Sequence, residues 1–97
     1  MTPDELASYC LSKPGAWEDE PWEGDTVAKV TDGSGGGKIF AFLGSDAVGV
    51  KCGTNRDEAQ EWLLRYPDDE VRDAVDVSYD LVVSKLPKKH RPEGWGD

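Results

Sequence analysis

The sequence predicts an α+β domain, an antiparallel β-sheet meander with helices packed on one face. Three observations carry this. The chain has 97 residues, enough for one core and too few for two. Its middle holds three short β-branched or aromatic runs, "TVAKV", "KIFAFL" and "VGVKC", separated by the turn compositions "TDGSGGG" and "GSDA". Amphipathic helical spacing flanks these runs on both sides.

The first helix is predicted from about Pro3 to Ser12. Thr2 can cap it, Pro3 suits the first helical position, and Glu5 can complete a capping box. Leu6, Tyr9 and Cys10 follow the i, i+3, i+4 spacing of a core-facing stripe, and "KPG" at 13–15 stops the helix. "AWEDEPWEGD" mixes two Trp with acids, Pro21 and Gly24, and reads as a loop. In the run at 38–43, Ile39, Ala41 and Leu43 alternate with Lys38, Phe40 and Phe42, so both faces of that strand carry apolar groups. Val48, Val50 and Cys52 share a face of the next strand, opposite Lys51.

"TNRDEAQEWLLRYP" has Thr54 or Asn55 as a cap, acids in the first turn, and Ala59, Trp62, Leu63 and Tyr66 on one stripe. It reads as a second helix. After Pro67 a third helix is predicted, capped by Asp68 or Asp69, with the stripe Val71, Ala74, Val75, Ser78, Val82 and Leu86, ending at Pro87. Val77, Tyr79, Leu81 and Val83 widen its apolar surface, which predicts a central helix packed on more than one side.

Composition excludes several classes. Hydrophobic residues are 37% and charged residues 32%, which suits a folded domain with a heavily charged surface rather than a disordered chain. The longest apolar run, "IFAFL", is far short of the ~20 residues of a membrane span. "MTPDELASYC" lacks both the basic start and the apolar stretch of a targeting signal, so a cytoplasmic location is expected. Cys10 and Cys52 have neither C-x-x-C spacing nor a nearby His, and are expected as buried thiols in a reducing compartment. "DGSGGGK" lacks phosphate-loop spacing and links two strands, so it reads as a hairpin tip. One His, no nucleophile with a visible base and no cofactor fingerprint leave no catalytic constellation, so neither an enzyme nor a cofactor is expected.

Several stretches resemble the MmcQ/YjbR-like family of small bacterial proteins: "GGKIFAFL", "VKC", "YP", "PGAWEDEPWEG" and above all "DDEVRDAVDVSYDLVVSKLPKKHRP". The resemblance covers nearly the whole chain. It implies a frataxin/CyaY-like fold and, through the family's "double wing" label, DNA binding. Between "YP" and "PDDE" the family carries a further strand-bearing segment with a Trp-Asn signature. Here Tyr66 runs through Pro67 straight to Asp68, as in a shortened member or a chain that has lost an internal piece. Either case implies the loss of one wing and part of the sheet.

Charge bears on the DNA reading in two ways. The net charge is -9, yet five Lys or Arg stand in residues 67–97, four of them between Lys85 and Arg91. Cations that neutralise phosphates supply non-specific DNA affinity, and the candidates are Lys38, Lys51, Arg56, Lys85, Lys88, Lys89 and Arg91, with His90 adding charge below neutral pH. Against them stands a pI near 4.4, and cations after a helix also favour the negative end of its dipole. The alternative is a protein-interaction or regulatory module that uses Trp17, Glu18, Asp19, Glu20 and Trp22 as a surface. The carboxylates of Glu18, Asp19, Glu20, Glu23 and Asp25 could hold a hard cation only weakly and without selectivity, so no metal site is assigned.

Overall fold

A computed structural model describes residues 1–22, 25–30, 37–43, 49–53, 60–92 and 95, with side chains described for all of these except 21, 22, 25, 60 and 90. The chain runs through helix α1 (Pro3–Leu11), strands β1 (Ala16–Trp22), β2 (Asp25–Val30), β3 (Lys38–Phe42), β4 (Gly49–Cys52) and β5 (Gln60–Leu63), and helix α2 (Asp68–Ser84). A short 3-10 turn, Lys88–His90, follows.

The strands form one sheet in the order β1-β2-β3-β4-β5, every neighbouring pair antiparallel. This is the predicted α+β meander, with two differences. "AWEDEPW" is strand β1 rather than a loop: Trp17 pairs with Lys29 and Glu18 with Ala28. Its charged residues are tolerated because β1 is a border strand with one neighbour. "QEWL", expected in a second helix, is strand β5, with Val50 opposite Trp62 and Cys52 opposite Gln60. A tight turn through Leu64–Tyr66 leads from β5 directly into α2. The proposed caps Thr54 and Asn55, with Ala59, lie outside the described residues.

Helix α1 starts as its sequence dictates. The Thr2 hydroxyl accepts from the Glu5 amide at 3.1 Å, and the Glu5 carboxylate accepts from the Thr2 amide at 3.1 Å. Gly15, at φ 71°, makes the turn from α1 into β1 in a conformation that suits glycine.

Both helices pack on one face of the sheet. Leu6 and Cys10 of α1 and Val71, Val75, Tyr79, Val82 and Val83 of α2 share one buried cluster with Ala28, Val30, Phe40, Ala41 and Val50. The register between β2 and β3 shifts between Ala28 and Lys29, leaving Phe40 as the extra residue of a bulge. The bulge lets the consecutive residues Phe40 and Ala41 both enter the core. There Phe40 meets the Tyr79 ring edge to face at 5.2 Å, a favoured aromatic geometry. On the opposite face Val27 and Phe42 are cross-strand neighbours and both buried, so that face is not bare. One expectation for α2 fails. Tyr79 and Val83 are buried, but Val77 and Leu81 are exposed, so the helix packs on one side only.

Candidate functional site

The end of α2 is the one place where the described structure gathers several of the expected phosphate contacts. Pro87 terminates the helix because it lacks an N–H and resists continuing the helical ladder. The 3-10 turn Lys88–His90 then reverses the chain, so that Arg91 comes back under the last turn of α2. Arg91 Nε donates to the Leu86 carbonyl at 3.0 Å and Nη2 donates to the Ser84 carbonyl at 2.8 Å. The Ser84 carbonyl is one that the helix end leaves without an intrahelical partner. The same guanidinium lies 5.3 Å from the Trp95 ring centroid, and the Trp95 indole N–H donates to Asp80 at 3.1 Å. Arg91 is therefore a cap and a brace, and its charge is spent on carbonyl oxygens and an aromatic face rather than held out to solvent.

Lys85, Lys88 and Lys89 differ from it. All three are exposed, and no ion pair to them occurs among the described residues. His90 belongs to the same turn, but its side chain lies outside the described residues, as does all of Arg56. Lys38 and Lys51 do not join this cluster as a common surface. Lys38 pairs with Val30 on the helix-covered side of the sheet, whereas Lys51 lies opposite Phe42 and Glu61 on the other side.

The acidic aromatic stretch takes its form from the alternation of β1. Trp17 and Asp19 point to the side away from the helices, next to Lys29, while Glu18 alternates with them and is exposed, as is Glu20. Lys29 Nζ stands 2.6 Å from Asp19 Oδ2 and 5.3 Å over the Trp17 ring. Lys29 hydrogen-bonds Asp19 and, with the Glu20 amide, holds its carboxyl below the usual carboxylate range. The Trp17 indole lies against Gly37, where an added Cβ would stand 3.0 Å from Trp17 Cζ2 and 3.2 Å from Lys29 Cβ. Its Nε1–H is buried without an acceptor among the described residues. Glu23 and the side chains of Trp22 and Asp25 lie outside the described residues. Strand alternation separates Asp19 from Glu18 and Glu20, and among the described residues no three metal-ligating side chains converge.

Sequence reasoning missed two further features. Asp76 of α2 accepts from the Tyr9 hydroxyl at 2.6 Å and pairs with Lys13, joining the end of α1 to the middle of α2. Burial pulls the Lys13 ammonium down, but the hydrogen bond and charge of Asp76, aided by Tyr9, outweigh it and leave Lys13 raised. The second is an open groove of about 500 Å³ lined by Val77, Asp80, Leu81, Ser84 and Trp95. Its signal was the apolar pair at i, i+4 in α2, which periodicity alone cannot assign to core or surface.

The YjbR family model matches residues 11–81, well over half of the chain. This chain belongs to the YjbR family. The match takes in the whole sheet and α2 as far as Leu81, and it spans the Tyr66–Asp69 junction. The basic turn of this YjbR chain, 85–91, lies beyond the matched residues. No curated protein and no solved structure matches the chain.

Proposed function

We propose that this YjbR-family protein is a non-enzymatic domain that contacts the phosphate backbone of duplex DNA through Lys85, Lys88 and Lys89. The observation that supports this reading is the Arg91 brace. By bonding Ser84 and Leu86 it fixes the turn that carries the lysines, so three exposed cations, without an ion pair among the described residues, are offered from a braced turn. Ordering them in advance lowers the entropy lost on binding. Phosphate contacts carry no sequence information, so the contact is indifferent to sequence. The same reading has the protein working in the cytoplasm, which two unbridged cysteines and the lack of a described helix long and apolar enough to cross a membrane support.

The test is fluorescence anisotropy of a labelled duplex. Three phosphate contacts give a log-log salt slope of about -2.7, or roughly a forty-fold loss of affinity between about 50 and 200 mM salt. The double variant Lys88→Glu, Lys89→Glu is expected to lose binding while keeping the native circular dichroism spectrum. Lack of binding by the unaltered protein at low salt ends the proposal.

The alternative surface around Trp17, Glu18, Asp19, Glu20 and Trp22 has less support as a partner site. The Trp17 indole is already held between Gly37 and Lys29, and Asp19 is already paired.

A further inference from the structure

A chain of contacts at the end of α2 starts at Asp80 and ends at the basic turn. Asp80 accepts from the Trp95 indole N–H at 3.1 Å, the Trp95 ring centroid lies 5.3 Å from the Arg91 guanidinium, and Arg91 donates to the carbonyls of Ser84 and Leu86. The Trp95 amide donates to the Pro92 carbonyl at 3.3 Å, which turns the chain after Arg91 back on itself. Asp80 and Ser84 are one helical turn apart in α2, so the helix anchors this chain of contacts at both of its ends.

Arg91 alone is a poor brace. Its side chain has many rotamers to lose, and water competes for its bonds at a half-buried helix end. An indole face is the best aromatic partner for a guanidinium, and 5.3 Å is within reach of that attraction. The ring also keeps water from one side of the planar fork. The indole is held in turn, because its single N–H donor is taken up by Asp80.

We infer that Trp95 is a positioning residue. Fixed by Asp80, it keeps Arg91 on the end of α2 and thereby sets how the turn presents Lys88 and Lys89. It acts through Arg91 and not by contact with nucleic acid. This deepens the DNA reading and rests on it for its effect on binding.

Two measurements test the inference. The first needs no nucleic acid: heteronuclear NMR of the full chain follows exchange of the Arg91 Nε–H with water. Slow exchange is expected in the unaltered protein and faster exchange in Trp95→Leu, with the circular dichroism spectrum unchanged. Asp80→Ala, at an exposed position, releases the indole while leaving Trp95 in place, and is expected to quicken exchange as well. Exchange left unchanged by either variant overturns the inference.

The second is a double-mutant cycle on duplex affinity, read by anisotropy. Trp95→Leu is expected to weaken binding roughly three-fold in the unaltered background, and to weaken it no further when Arg91→Ala is already present. Losses that add overturn the inference, because Trp95 would then act on DNA without Arg91. If the unaltered protein binds no duplex, the DNA reading falls, while the exchange measurement still decides whether Trp95 holds Arg91.

Discussion

The hydroxyl of Ser78, buried on α2, donates at 2.6 Å to the main-chain carbonyl of Phe40 in β3. This bond locks the helix onto the sheet at the bulge, where pairing with the neighbouring strand is interrupted and the Phe40 carbonyl needs donors. The Gly53 amide supplies a second, longer one at 3.3 Å. Ser78→Ala leaves the carbonyl with that weaker bond alone. A loss of about 1–2 kcal/mol in urea unfolding is expected, without change of fold.

Asp76 ties α1 to α2 through Tyr9 and Lys13. Asp76→Ala removes both contacts from a half-exposed site, and a loss of about 1 kcal/mol is expected. Since Lys13 is raised in the folded protein, the stability it contributes is full at neutral pH and is lost as pH climbs past its ordinary value of 10.5. The difference between Asp76→Ala and the unaltered protein should therefore narrow in strongly alkaline urea titrations.

Cys10 and Cys52 are both pushed from 9.0 up to about 12, burial being the main cause for each. The folded state keeps these protons where the unfolded chain releases them. Stability must then fall as pH rises from about 9 to about 12, and not on the acid side. Tyr79, raised by burial and by Asp80 to about 12, adds to the upper part of this range. The urea midpoint should decline across that window, and less steeply in Cys10→Ala. Alkylation of Cys10 at neutral pH should follow the rate at which the native protein opens.

Gly49 faces the β5 backbone so closely that an added Cβ would stand 2.6 Å from the Trp62 carbonyl oxygen. Main chain cannot swing away as the tip of a side chain can. Gly49→Ala is expected to push β5 off β4 at a cost of about 1–3 kcal/mol, visible as a lowered Tm and a changed Trp62 fluorescence.

Helix α2 was legible because its buried stripe keeps period over 17 residues and Pro87 closes it. The meander β2 to β4 was legible from β-branched and aromatic runs separated by stretches of turn composition. Strand β5 was not. Ala59, Trp62, Leu63 and Tyr66 fit a helical stripe, and four strand residues are too few for alternation to compete with it. What decided was tertiary: Trp62 gains a place beside Val50 at the border of the core. Strand β1 was hidden by its charges, which only a border position accommodates. At the basic end the cluster itself was visible, but the division of labour was not. Arg91 differs from the lysines because a planar fork can meet two carbonyls at once, and whether carbonyls stand there is a matter of how the chain turns. Nor could periodicity tell that Val77 and Leu81 face outward, because their stripe looks the same from either side.

Strand β1 also bears on how the molecule behaves in a crowded solution. A sheet border offers open main-chain groups to any other strand that meets it. Here that border carries Glu18, Asp19 and Glu20 in succession, followed by Pro21, which has no N–H to give. Two such borders meeting edge to edge would bring like charges together and find a donor missing. The acid run thus works as a guard against fibrous self-association.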